Sequence, residues 1–195
     1  MKWNRSFLVL LISILVIVVS GCSTSSKLRD SLNWNVEPFQ YINQNGESFG
    51  SNNLKGKVTV ADLFFTSCET VCPPMTANLV RLQKMAKEEN LDVQFVSFSV
   101  DPEVDTPEVI RTFTSKYTSD LSNWNLLTGY KQTDIQDFVQ KSFHTVADKP
   151  AGNSQVTHGT SFYLIDKTGT VVKKYSGISN VPYEDIIHDI KLLSK

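Results

Sequence analysis

The chain has 195 residues, with 19 Lys and Arg against 20 Asp and Glu and a formal net charge of −1. That length suits one domain with a sizeable core. The balanced charge excludes the basic footprint that nucleic-acid binding requires.

Lys2 and Arg5 form a short basic stretch, and Phe7 to Val19 runs apolar apart from Ser13. This is the pattern of a secretory signal, short for a full membrane span. It closes on Val19-Ser20-Gly21-Cys22, which resembles a bacterial lipobox. In such signals the Cys is lipidated and becomes the mature N-terminus. Residues 1–21 therefore read as a lipoprotein signal peptide and Cys22 as the lipidation site; an uncleaved anchor helix is the alternative. Either way the folded part is expected on the outer face of the cytoplasmic membrane. A lipid would hold it there by burying CH2 groups at about 0.8 kcal/mol each. Residues 22–34, with Ser23-Thr24-Ser25-Ser26, read as a flexible tether, and residues 35–195 as the domain.

From Val36 onward, strand and helix patterns alternate. Phe39–Ile42 followed by Asn45-Gly46 predicts a strand and hairpin turn. Val58–Phe65 (VTVADLFF) reads as a buried strand. Met75, Leu79, Leu82 and Ala86 recur at helical spacing. Val93–Val100 is rich in Val and Phe, as a central strand would be. Thr106-Pro107-Glu108 opens a helix, with Thr as N-cap and Pro in the first helical position. Trp124–Leu127 reads as a strand and Thr133–Phe143 as a helix. Ser161–Ile165 and Val171–Tyr175 flank Lys167-Thr168-Gly169 as a hairpin, and Tyr183–Leu193 closes the chain as a helix. Alternation of this kind argues for an α/β fold whose sheet has parallel pairs and helices on its faces. Ligands in such sheets sit at the carboxyl ends of strands, where Thr66–Cys72 falls.

With Cys22 assigned to lipid, Cys68 and Cys72 form an isolated pair. A pair this close closes almost no loop, so it adds little by constraining the unfolded chain. Three readings remain open: a redox dithiol, a soft-metal site, and a buried structural pair. Paired thiolates favour Cu(I) and zinc, and a helix N-terminus behind them would stabilise the thiolate form. Because a residue before Pro avoids the α region, Cys72 and Pro73 are expected to be extended, with Pro74 the first helical residue. Both cysteines would then sit on a loop. Thioredoxin-like oxidoreductases use C-x-x-C, whereas here three residues separate the cysteines.

The segments VTVADLFFTSCETVCPPM (Val58–Met75), SFSVDPEVDTP (Ser97–Pro107) and His158 ahead of SFYLID (Ser161–Asp166) resemble the Sco (SenC) family. The likeness runs from about Val36 to the C-terminus. It implies a thioredoxin-like fold: a central mixed sheet, helices on both faces and an extra N-terminal β-hairpin. It also implies that Cys68, Cys72 and His158 bind copper as Cu(I) and Cu(II). The family serves maturation of the copper A centre of cytochrome c oxidase, so the copper A subunit is the expected partner. The chain is expected to be a monomer or a transient dimer.

His144 follows a predicted helix, and His188 falls off the apolar face of the last one. Asp101 ends a strand on the same sheet edge as the Cys loop, where it either orients a ligand or serves the Asp101-Pro102 turn. Asp105 reads as part of the turn or helix start. The competing function is a thiol–disulfide reductase, with Cys68 and Cys72 as its redox-active pair, that keeps the oxidase's copper-site cysteines reduced. Copper-dependent signalling is not separable from copper delivery in the sequence. A peroxidase of the peroxiredoxin kind would need Thr or Ser three residues before the reactive Cys, and that position holds Phe65.

Overall fold

The computed structural model describes residue 28 and residues 30–195. The expected signal peptide (1–21) and Cys22 lie outside the described residues. Among the described residues no helix is long and apolar enough to cross a membrane.

Among the described residues, ten strands and four α-helices follow one another. The strands are β1 (Trp34–Asn35), β2 (Gln40–Ile42), β3 (Ser48–Gly50), β4 (Val58–Phe64), β5 (Val93–Ser99), β6 (Trp124–Leu127), β7 (Ala147–Asp148), β8 (Thr157–His158), β9 (Ser161–Ile165) and β10 (Thr170–Ser176). The helices are α1 (Cys72–Glu88), α2 (Pro107–Thr114), α3 (Gln132–Phe143) and α4 (Tyr183–Ser194). Six strands form the central sheet in the order β1-β10-β9-β4-β5-β6. β4, β5 and β6 run parallel, while β9 is antiparallel to both β4 and β10. The sheet is therefore mixed, and β2 with β3 makes a separate hairpin.

Every residue of β4 and β5 is buried. Strands covered on both faces read as near-continuous apolar runs, which is why these two were visible in the sequence. Their side chains alternate between faces. On one face Phe98 and Tyr163 meet Phe143 of α3, with ring centroids 5.7 and 4.6 Å away. On the other, Phe64 stacks on Phe113 of α2 at 6.1 Å. Helices thus cover both faces.

Turn chemistry closes the hairpins. Gly46 sits at φ +78°, where a side chain would be strained, and its N–H donates to Asn43 O at 2.9 Å. Asp166 Oδ1 accepts from Thr168 N at 2.9 Å to shape the β9–β10 turn. Thr106 caps α2, accepting from Val109 N at 3.3 Å.

The fold starts earlier than the expected boundary at residue 35. Trp34 lies in β1, paired with Val171, and Leu32 N donates to Val172 O at 2.7 Å. The outer edge of β10 offers backbone partners that a tether does not need but a strand takes. The strands β1, β7 and β8, two residues each, are too short to show a period.

Candidate metal centre

The Cys loop joins the carboxyl end of β4 to α1. The helix begins at Cys72, not at Pro74, and Val71 just before it is already helical in φ and ψ. This corrects the expectation of an extended Cys72 and Pro73. The first four N–H groups of a helix have no partner within it, so two prolines in the first turn forfeit no hydrogen bond. Cys68 remains in the loop one turn earlier, and Cys72 N donates to Cys68 Sγ at 3.3 Å. The sulfur thereby takes the place of a helix cap.

His158 arrives from β8, 86 residues further on, with its Nε2 3.4 Å from Cys72 Sγ. Its Nδ1 lies 2.8 Å from Gly159 O. A carbonyl only accepts, so Nδ1 carries a hydrogen and Nε2 is the nitrogen presented to the sulfurs. Phe65 meets the imidazole edge-on at 5.7 Å. One donor atom from each of Cys68, Cys72 and His158 lies within 4.8 Å of the others. Donors about 2.0–2.3 Å from a shared ion stand roughly 3.5–4.6 Å apart. The three atoms therefore have close to the spacing that one soft metal ion demands.

The two thiols differ in acidity. Burial works against the Cys68 thiolate, but hydrogen bonds from His158, from the Cys72 side chain and from the backbone N–H groups of Cys72 and Thr70 outweigh it. They hold Cys68 down at about 6. Burial pushes the Cys72 thiol far up, and its hydrogen bond to Cys68 adds to the effect. Both cysteines are free thiols. Of the two, Cys68 takes the thiolate form more readily.

A family model described as SCO1/SenC matches residues 30–195. The chain belongs to the SCO1/SenC family. A SCO1/SenC family lipoprotein from Bacillus anthracis str. Ames is similar at 64% identity and a TM-score of 0.84, over 86% of this chain and 99% of that one. BsSco, described as having a disulfide switch and as a member of the Sco family of cytochrome c oxidase assembly proteins, is 48% identical. Its TM-score is 0.81, over 87% of this chain and 98% of its own. Bradyrhizobium japonicum ScoI with copper bound is 26% identical, with a TM-score of 0.64 over 82% of this chain and 99% of its own. The fold is thioredoxin-like, as expected for the Sco family.

The other sequence candidates fall in different places in this Sco-family chain. Asp101 does not reach the sulfurs or the imidazole by any hydrogen bond; its carboxylate takes Lys149 Nζ at 2.7 Å. His144 caps α3 in the left-handed region and lies against Trp34, with centroids 4.4 Å apart. His188 is exposed and contacts Asp189. Asp105 closes the turn before α2, its N–H donating to Asp101 O at 2.9 Å, and its carboxylate is also a buried anchor. It accepts from Thr66 N at 3.2 Å, from Thr66 Oγ1 at 2.5 Å and from Ser99 Oγ at 2.5 Å. Burial nevertheless raises its pKa.

Sequence reasoning passed over Asp62. It lies mid-strand in β4, 2% exposed, and accepts a hydrogen bond from Ser97, whose hydroxyl in turn accepts from Trp124 Nε1 at 2.9 Å. Burial raises its pKa to about 6, against the opposing pull of Ser97 and the His158 ring. The signal was present as a lone acid inside the apolar run VTVADLFF.

Proposed function

We propose that this protein carries copper at Cys68, Cys72 and His158 and delivers it to the copper A centre of cytochrome c oxidase. The observation that carries the reading is the convergence of two sulfurs and one imidazole nitrogen within 4.8 Å. Family membership supports copper as the metal and oxidase assembly as the setting: ScoI binds copper, and BsSco belongs to a family of oxidase assembly proteins. Two thiolates suit Cu(I), and the added imidazole also supports Cu(II). Loading the site requires Cys72 to lose its proton, so copper uptake releases protons and weakens as pH falls. The lipobox at Cys22 supports a lipid tether on the outer face of the cytoplasmic membrane, close to a membrane-bound recipient.

Titration of the reduced protein with copper tests this. One equivalent binds tightly in the wild type, and tight binding is lost in Cys68→Ser and Cys72→Ser. Retention of tight binding in both serine variants rules the site out.

The asymmetry of the two thiols favours a second reading, a thiol–disulfide reductase. The Cys68 thiolate attacks a partner disulfide and forms a mixed disulfide, releasing the first partner thiolate, which picks up a proton. Cys72 then loses its proton and attacks Cys68, releasing the second partner thiolate and leaving a Cys68–Cys72 disulfide. Two electrons pass to the partner. An alkylation rate of Cys68 that is half-maximal near pH 6, with Cys72 unreactive, supports this chemistry; equal reactivity of the two removes its basis.

A further inference from the structure

We propose that Lys149 and Asp101 form a latch that positions His158 over the cysteine loop. The inference deepens the copper reading and rests on it. His158 sits on β8, whose only strand partner among the described residues is β7, through the pairs Ala147↔His158 and Asp148↔Thr157. A two-stranded ladder of two pairs is not stable alone. Residues 151–155, between the two strands, are exposed. β9 of the central sheet begins three residues after His158, and Gly177 N donates to Thr160 O at 2.9 Å, so that side is held; the β7 side needs a contact of its own.

Lys149 follows β7 directly. Its Nζ lies 2.7 Å from Asp101 Oδ1, and the Asp101 side chain is only 1% exposed. Glu103 lies 3.6 Å from the same nitrogen but is largely in solvent. An ion pair with one end buried acts in a low-dielectric setting, and losing the cation leaves a buried carboxylate without its charge partner.

On its other side Asp101 is wired to the cysteine loop. Asp101 N donates to Ser99 Oγ at 3.1 Å, and Ser99 Oγ donates to Asp105 Oδ2 at 2.5 Å. Asp105 accepts from Thr66, two residues before Cys68. The path from Cys68 to His158 therefore runs through Thr66, Asp105, Ser99, Asp101 and Lys149, and closes at the contact between Cys72 and His158. A second cross-link spans the mouth, with Gln155 Nε2 donating to Ser67 O at 3.1 Å. Lys149 is thus a positioning residue: it touches no donor atom and sets where the imidazole stands relative to the two sulfurs.

The test compares wild type, Lys149→Met and Lys149→Arg, metal-free and copper-loaded. Lys149→Met keeps the aliphatic stem and removes the charge. In the metal-free protein, exchange of the Ala147 and His158 amides quickens about tenfold in Lys149→Met, and Lys149→Arg restores it. In the loaded protein Cu(II) dissociates about tenfold faster, while Cu(I) affinity moves by less than about threefold, because the thiolates alone suit Cu(I). Unchanged amide exchange overturns the latch, as does faster exchange spread evenly over β4 and β5. Asp101→Asn, which removes the charge from the buried end, must reproduce the local effect. The metal-free readout stands even if wild type binds no copper, so failure of the latch and failure of the copper reading are distinguishable.

Discussion

On one face of the central sheet, Phe39, Phe98, Phe138, Phe143 and Tyr163 pack ring against ring, with neighbouring centroids 4.6 to 5.8 Å apart. On the other face the same strands carry Asp62, Ser97 and Ser99, all buried. The first face is an apolar packing problem. Such contacts sum many small dispersion gains and desolvation. The second holds buried acids whose ionised form is disfavoured, beside a cysteine loop and an imidazole brought from distant elements. The difference teaches that one face is given to aromatic packing, whereas the other combines apolar packing, Phe64 on Phe113 included, with the buried acids beside the site.

The contrast can be broken from the aromatic side first. Phe143 is fully buried and touches Phe98, Phe138 and Tyr163. Phe143→Ala is expected to cost about 3–5 kcal/mol in urea denaturation. It should leave copper stoichiometry in the folded fraction unchanged.

A smaller effect of opposite sign is expected at Asp62. Its folded pKa is raised to about 6 from an ordinary 3.8. The stability it contributes is therefore fully present below the unfolded value and is lost as pH rises through about 6. About two units correspond to roughly 3 kcal/mol at most. Asp62→Asn should flatten that loss between pH 4 and 7, measured by denaturation at each pH. An undiminished slope in the variant would assign it to other groups.

At Asp105 the expected cost is lower again. Asp105→Asn weakens the acceptor for Thr66 and Ser99 and should destabilise by about 1–3 kcal/mol. Its local signature is faster amide exchange at Thr66, while the aromatic face stays protected. Equal loosening of both faces would show that they are not separable.

The sequence made these two faces unequally legible. Trp124–Leu127 and Ser161–Ile165 form the strands expected of them, and Met75, Leu79, Leu82 and Ala86 all point into the core. Periodicity reports burial along a few residues, and those elements needed nothing more. The pair Cys68 and Cys72 was visible because only three residues separate them in the sequence. Their meeting with His158 rested on family resemblance, since a contact 86 residues apart leaves no local pattern. Lys149 stayed hidden for the same reason, 48 residues from Asp101. Asp105 reads as turn or helix start, and its N–H does close that turn on Asp101 O at 2.9 Å; the hold of its carboxylate on Thr66, 39 residues away, leaves no local pattern. The helix start at Cys72 was missed because the restriction before proline is weaker than the freedom of a first helical turn.

The central claim, that Cys68, Cys72 and His158 share one copper ion, is tested most directly by EPR and absorbance of the Cu(II)-loaded protein against His158→Ala. The account predicts thiolate-to-copper charge transfer in the wild type, and in His158→Ala a changed Cu(II) spectrum with Cu(I) still bound. An identical Cu(II) spectrum in His158→Ala would contradict it and leave the imidazole without a metal role.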